Sequence, residues 1–177
     1  MQRVSTTVVA LAGERARACL EALERAANVR TVLVEPERPA LDRAAAAWRA
    51  ARRTQLPYLL HDADPLEAVA GAWVRRFDAE GAAGELEVAV GETLARWRGR
   101  DLELPDYYLV LDADELDPTR RHWYLGFLHR AAPSRVLPTA GTPAEVGGQL
   151  ASLASGPWWP DLDRLLDGVD RVVPDQV

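Results

Sequence analysis

Residues 105–118 read PDYYLVLDADELDP, and this stretch decides the fold that the sequence predicts. Its apolar and aromatic run, YYLVL, has the length of a buried strand. Three carboxylates follow within four positions, at Asp112, Asp114 and Glu115. Ligands of α/β sheets usually lie at the carboxyl ends of the strands, and spaced carboxylates suit a hard divalent cation that holds a phosphate. The stretch therefore predicts a strand of an α/β sheet that ends in a candidate metal site.

Strand and helix patterns alternate along the chain on both sides of this stretch. Apolar residues at helical spacing fill the intervals between the β-rich runs. The expected strands are Val4–Leu11, Val29–Glu35, Pro57–His61, Tyr107–Leu111 and Arg135–Pro138. Strands that alternate with helices form a parallel sheet covered on both faces. The predicted fold class is a three-layer α/β sandwich, Rossmann-like, with a mainly parallel sheet of about five strands.

The expected helices occupy the intervals between those strands. They are Glu14–Ala27, Leu41–Arg53, Pro65–Phe77, a stripe from Leu86 to Trp97, Pro118–Ala131 and Thr142–Leu153. A chain of 177 residues is long enough for one full core, and no linker or low-complexity segment divides it. We therefore expect a single domain over residues 1–177, with an irregular C-terminal tail from about residue 155.

Composition narrows the class of partner. The net charge is −6 and the isoelectric point is near 5.1, so nucleic acid is an unfavourable main partner, because phosphate contacts need a basic surface. Cys19 is the only cysteine and lies on the apolar face of a predicted helix, where we expect a buried core residue. The N-terminal apolar run is too short for a transmembrane helix or a cleaved leader. The default expectation is a cytoplasmic protein without a membrane span.

Two of the aspartates have a simple structural interpretation. Asp64 and Asp117 each precede a proline, as in a helix start where the acid accepts hydrogen bonds from free backbone amides. Asp112 and Asp114 are left without that role once Asp117 caps the helix. Unpaired acids this close repel each other, and a cation relieves the repulsion. The two aspartates are therefore the favoured cation ligands.

Part of the sequence recurs at a fixed interval. The first copy consists of Tyr58, Leu59, Asp62, Ala63, Asp64, Trp73 and Phe77, and each residue type recurs 50 positions later. A duplicated unit and convergence of two neighbouring strand–helix units both explain the recurrence, and two copies are too few for a repeat architecture. In each copy Trp and Phe are four residues apart on one helix face, which predicts that Trp73, Phe77, Trp123 and Phe127 pack in the core.

The order of elements resembles the family 2 glycosyltransferases of the GT-A fold over residues 1 to about 131. The segment ACLEAL at 18–23 is similar to a helix pattern of that family, and LDADE at 111–115 looks like its metal-binding motif. The resemblance implies that Asp112, Asp114 and Glu115 hold Mg²⁺ or Mn²⁺ on the diphosphate of a sugar nucleotide. It also implies that Glu35, after the second strand, faces the nucleoside. The acid-then-DxD order is also similar to Toprim domains, although Pro36 stands where those have glycine.

Two functions fit these features. The leading hypothesis is a small GT-A-like protein that binds a sugar nucleotide or nucleoside diphosphate through a divalent cation, with glycosyl transfer as the implied reaction. No catalytic base can be assigned, and only about 60 residues follow the motif. The alternative is a non-catalytic Rossmann-like module that binds a protein partner or self-associates. Trp158 and Trp159 are the candidate aromatic surface for that role, although a lid folded onto the domain is the favoured interpretation of the pair.

Overall fold

A computed structural model describes residues 6–78, 80–153 and 156–174. Five strands form one sheet in the order β2-β3-β1-β4-β5, and every neighbouring pair is parallel. Their bounds are β1 Thr7–Ala12, β2 Val29–Val32, β3 Tyr58–His61, β4 Tyr107–Leu111 and β5 Val136–Thr139. The predicted three-layer α/β class with a parallel five-stranded sheet is confirmed. Part of the first predicted strand, Val4 and Ser5, lies outside the described residues.

Helices connect the strands and cover both faces of the sheet. Their bounds are α1 Ala16–Leu23, α2 Ala40–Ala51, α3 Glu67–Phe77, α4 Glu85–Arg98, α5 Pro118–Arg121, α6 His129–Ala131, α7 Pro143–Ala151 and α8 Leu162–Leu166. Between α5 and α6 the backbone continues as π-helix over His122–Leu128, so residues 118–131 form one unbroken helical segment. None of the helices in the described ranges has both the length and the apolar character needed to span a bilayer.

Side chains of β1 alternate between two cores. Val9 and Leu11 face α1 and α7, and they pack with Leu20 and Leu109. Alanines of β1 point to the opposite face, where α3, α4 and the π-helical segment lie and where the aromatic residues are concentrated. Cys19 is buried in the first core, as expected, and its thiol contacts the Gly141 carbonyl. Period-2 alternation in a strand buried on both faces accounts for this division.

The aromatic residues of the two sequence copies meet in the second core. Trp73 and Trp123 are fully buried, with ring centroids 5.6 Å apart. Phe77 and Phe127 are partly buried against them, at 4.8 Å and 4.9 Å from their own tryptophans. The prediction that these four rings belong to the core is confirmed.

The C-terminal segment packs onto the same core. Trp159 is 6% exposed, and its indole N–H donates to the Pro105 carbonyl at 2.8 Å. Of the two interpretations of this aromatic pair, Trp159 agrees with a segment folded onto the domain and not with an exposed partner surface, because its ring completes the chain's own core. Trp158 is half-buried and covers the guanidinium of Arg135, 4.5 Å from its ring centroid.

Candidate functional site

The strand order creates one topological switch point. From β1 the chain crosses by α1 to β2 on one side of the sheet, and from β4 it crosses by the segment 118–131 to β5 on the other side. Since β1 and β4 are neighbours, their connections diverge and leave a crevice at their carboxyl ends. This crevice is too narrow in this structure to hold a water molecule, and it is lined by Glu14, Arg15, Leu111, Asp112, Glu115 and Leu116. Two of the three acids predicted from the sequence, Asp112 and Glu115, therefore lie at the crevice.

Gly13 allows the two strand ends to approach each other closely. Its φ is +119°, and a Cβ at this position would lie 2.7 Å from the Leu111 carbonyl oxygen. Any side chain here would force β1 and β4 apart, so glycine is required both by the backbone conformation and by the contact. The turn delivers Glu14 and Arg15 to the crevice.

Asp112 is the most constrained residue of the crevice. Its φ is +44°, in the left-handed region that non-glycine residues seldom adopt. One carboxylate oxygen, Oδ1, accepts a hydrogen bond from the Gly141 amide at 2.8 Å. The other, Oδ2, is buried and has no hydrogen-bond donor among the described residues, although Arg15 Nε forms an ion pair with it at 3.3 Å. One charged oxygen of Asp112 is thus only partly compensated.

Arg15 joins two of the three predicted acids. Its guanidinium also lies 3.7 Å from Glu115 Oε1, so Asp112 and Glu115 share one cation. Asp114 is fully exposed, and its carboxylate is directed to Arg121 at 3.6 Å. The structure therefore brings Asp112 and Glu115 together and places the Asp114 carboxylate elsewhere.

Glu35 lies apart from the crevice. The strand β2 ends at Val32, three residues earlier than the sequence predicted, and Glu35 is exposed in the loop that follows. Its carboxylate forms an ion pair with Arg38 of the same loop. This loop follows β2, the edge strand of the sheet, and β3 and β1 lie between β2 and the crevice.

The end of β3 carries a second charged group. The Asp62 side chain is 12% exposed, and its Oδ2 lies 3.7 Å from Arg17 of α1. Arg43 of α2 donates from Nη2 to the Asp62 backbone carbonyl at 3.1 Å. Two guanidiniums therefore converge on one aspartate. In the sequence, Asp62 stands out only as one of the residues that recur 50 positions later, and this recurrence does not reveal either arginine as its partner.

Asp64 is the centre of a buried hydrogen-bond network that its position before a proline does not predict. Its Oδ1 accepts from the Tyr108 hydroxyl at 2.7 Å and from the Leu66 amide at 2.8 Å, and its Oδ2 accepts from the Tyr124 hydroxyl at 2.9 Å. Burial, and then the negative charge of Asp64, raise the pKa of both tyrosines well above the ordinary value. The recurrence of Tyr and Asp at 50-residue spacing was the one available signal, and it does not reveal which pairs touch.

Glu67 and His61 complete the environment of this network. Burial raises the pKa of Glu67, and its ion pair with Arg120 opposes that rise. Burial lowers the pKa of His61 to about 4, and the ring accepts a hydrogen bond from the Ala63 amide at Nδ1. A histidine that accepts at Nδ1 and is fully enclosed is neutral at pH 7. We assign these groups to the framework that supports the strand ends.

The remaining surface offers less chemistry. A depression between α4 and α8 is lined by Val90, Leu94 and Leu166 together with Asp163 and Asp167. Within the described ranges, no group of three or more His, Cys, Asp or Glu side chains is arranged to hold a metal ion by itself. Any cation at the crevice would therefore need ligands from a bound molecule, as Mg²⁺ does when it sits on substrate phosphates.

The chain matches no protein-family model, no curated protein and no solved structure. The geometry of the site is therefore the basis on which a function can be argued.

Proposed function

We propose that the protein binds a nucleoside diphosphate or a sugar nucleotide through a divalent cation, Mg²⁺ or Mn²⁺, in the crevice between β1 and β4. The observation that supports the proposal is the Asp112 carboxylate, which has a buried oxygen without a hydrogen-bond donor at the topological switch point of a parallel sheet. A buried and incompletely compensated carboxylate oxygen is costly, and a cation would relieve that cost.

Asp112 and Glu115 are the ligands that the geometry favours. In the absence of a metal ion, the two acids share the single positive charge of Arg15 through contacts of 3.3 and 3.7 Å. The Arg15 side chain is more than half exposed, so it can leave the acids and pair with a phosphate. Two carboxylates together with phosphate oxygens and water make a common Mg²⁺ coordination shell. The GT-A resemblance implies a further ligand at Asp114 and an acid facing the nucleoside at Glu35, but neither is part of the proposal, because the Asp114 carboxylate is directed to Arg121 and the Glu35 carboxylate is paired with Arg38.

Calorimetric titration of UDP, GDP and ADP, each with and without Mn²⁺, tests the proposal. We expect binding that depends on Mn²⁺, because the cation neutralises both the acids and the phosphates. Asp112→Asn should weaken it by about tenfold or more, as expected for damage to a metal site. Asp114→Asn is the matched control: it removes an acid of the same motif whose carboxylate lies outside the crevice, and it should change the affinity less.

Flat traces for all three nucleotides, with and without Mn²⁺, would end the proposal. If a nucleotide bound equally well in the presence and absence of Mn²⁺, nucleotide binding would remain supported and the role of the cation would be overturned. Glycosyl transfer is the reaction that the resemblance implies, and it requires this binding step first. The alternative function, a module that self-associates, has less support, because the Trp159 ring is buried in the chain's own core and cannot contribute to a partner surface.

A further inference from the structure

Two buried polar atoms at the end of β3 have no hydrogen-bond partner among the described residues. One is Nε of Arg43, a donor, and the other is Oδ1 of Asp62, an acceptor. Buried polar groups in folded proteins are nearly always paired, so an unpaired donor and an unpaired acceptor in the same place need an explanation. Neither residue belongs to the crevice between β1 and β4.

Existing contacts hold these two residues next to each other. Arg43 donates from Nη2 to the Asp62 carbonyl at 3.1 Å, so its Nε lies on the guanidinium that is already docked on Asp62. Arg17 stands on the other side, 3.7 Å from Asp62 Oδ2, and donates to the Val34 carbonyl at 3.2 Å. Contacts from α1 and α2 thus hold both side chains at the end of β3.

The charges at this place select the kind of group that can bind. The Asp62 carboxylate repels a phosphate, and the Arg43 and Arg17 guanidiniums repel a metal ion. A neutral group that both accepts and donates satisfies Nε and Oδ1 together. A hydroxyl has this property, since it offers one donor and two acceptor lone pairs.

We propose that Arg43 and Asp62 form a subsite for the hydroxyl groups of a sugar, either the ribose of a nucleotide or the hexose attached to it. The subsite deepens the proposed function and rests on it for the identity of the whole ligand. It lies across the end of β1 from Asp112, because β3 and β4 flank β1 in the sheet. Two strand spacings separate them, about 10 Å, a span that one sugar nucleotide can cover.

Two measurements test the subsite. The first is calorimetry with Mn²⁺, comparing UDP, GDP and ADP with their 2′-deoxy and 3′-deoxy forms. We expect loss of the bound hydroxyl to weaken wild-type binding by about tenfold or more, because it leaves buried polar groups unpaired. In Asp62→Ala and Arg43→Lys the two forms should bind alike. The control is Glu37→Ala, an exposed acid of the neighbouring loop, which should behave as wild type.

The second measurement does not require a nucleotide. Saturation-transfer NMR with free ribose and free glucose should give signals with the wild-type protein that are lost in Arg43→Lys, a change that keeps the charge and removes Nε. Arg43→Lys also serves where Asp62→Ala fails to fold.

The outcomes separate the two proposals. Sugar signals that depend on Arg43, without any nucleotide binding, would support the subsite and end the proposed function. Nucleotide binding that ignores the ribose hydroxyls, together with no sugar signal, would overturn the subsite alone. Absence of both would overturn both. Variants that lower the melting temperature while leaving binding of sugars and nucleotides unchanged would also overturn the subsite, since an internal water then pairs the two atoms.

Discussion

The tripeptide Asp-Ala-Asp occurs twice, at 62–64 after β3 and at 112–114 after β4, on the two sides of β1. The first aspartates of the two triplets share two features. Asp62 contacts Arg17 and Asp112 contacts Arg15, both from the start of the connection through α1. Each also has one buried carboxylate oxygen without a hydrogen-bond donor among the described residues. The position directly after a strand has thus produced the same kind of site twice.

The second aspartates differ completely. Asp64 is 7% exposed and accepts hydrogen bonds from two tyrosine hydroxyls. Asp114 is fully exposed. The left-handed conformation at Asp112 turns the chain at this point, and a 3₁₀ turn follows over Ala113–Glu115. The strand end therefore determines the environment of the first aspartate, whereas the loop conformation determines that of the second.

Replacing Asp64 should lower the free energy of unfolding far more than replacing Asp114. Asp64→Ala removes the acceptor of the Tyr108 hydroxyl, the Tyr124 hydroxyl and the Leu66 amide, and leaves all three donors buried. We expect a loss of about 3–5 kcal/mol in the free energy of unfolding, since each buried unpaired donor costs about 1–3 kcal/mol. Asp114→Ala removes an exposed carboxylate and should change it by less than about 0.5 kcal/mol. Urea denaturation of both variants measures the difference.

A double replacement checks the cause of the Asp64 effect. Tyr124→Phe alone removes one donor, and in the Asp64→Ala background it should cost less than in wild type, because its partner has gone. A loss for Asp64→Ala as small as the one expected for Asp114→Ala would mean that the hydrogen-bond network does not matter for stability.

The sheet could be predicted because its signals are local. The strand Tyr107–Leu111 was predicted with its observed bounds, since a short apolar run followed by acids is unambiguous. Val29–Glu35 was predicted too long: β-rich composition continues to Glu35, but the ladder with β3 ends at Val32. Neighbouring strands, more than propensity, decide where a strand ends.

The candidate site could be predicted only in its location. The acids after β4 indicated the correct edge of the sheet, but the backbone at Asp112 separates the Asp114 carboxylate from the other two. Asp64 was interpreted as a helix cap because proline follows it. It does accept from the Leu66 amide, but its contacts with Tyr108 and Tyr124 span 44 and 60 residues. Spacing along one chain does not reveal such contacts.

The residue before the first triplet should make the stability of the protein depend on pH. His61 precedes the first and Leu111 precedes the second, and both are buried. Burial lowers the pKa of His61 to about 4, below the ordinary value of about 6.5. The stability that neutral His61 contributes is therefore present above pH 6.5 and is lost as the pH falls towards 4, because the unfolded chain binds the proton first. This loss amounts to about 3 kcal/mol.

Replacing His61 by leucine, the residue that precedes the second triplet, isolates this contribution. In His61→Leu the free energy of unfolding should fall less between about pH 6.5 and pH 4 than in wild type. Urea denaturation across this range measures both slopes. Identical slopes would show that His61 is protonated in the folded protein as easily as in the unfolded chain.

A smaller loss of stability is expected when the surroundings of Asp112, in the second triplet, are disturbed. Gly141 donates its amide to Asp112, and a Cβ at this position would lie 2.1 Å from Asp112 Oδ2 and 2.9 Å from Arg15 Cδ. Gly141→Ala should therefore displace Asp112 and lower the free energy of unfolding by about 1–3 kcal/mol, as overpacking does. Gly147→Ala in α7 is the matched control, because its Cβ meets no atom within 4 Å. That change should be neutral or stabilising in chemical denaturation, since alanine favours a helix over glycine.

The smallest loss of stability is expected at Asp117, and it allows the two predicted helix caps, Asp64 and Asp117, to be compared. Asp117 is a cap in the structure, where its Oδ1 accepts from the Thr119 amide at 2.9 Å and the Arg120 amide at 3.2 Å. Asp117→Ala should cost about 0.5–2 kcal/mol, the usual value of a cap, and Asp117→Asn should recover most of it because asparagine also caps well. Asp64→Asn should recover less, since an amide in place of the carboxylate offers only one acceptor to three donors. Thermal unfolding of the four variants measures the two recoveries. Equal recovery at both positions would mean that Asp64 stabilises the protein only as a helix cap and that the tyrosine hydroxyls add nothing to its role.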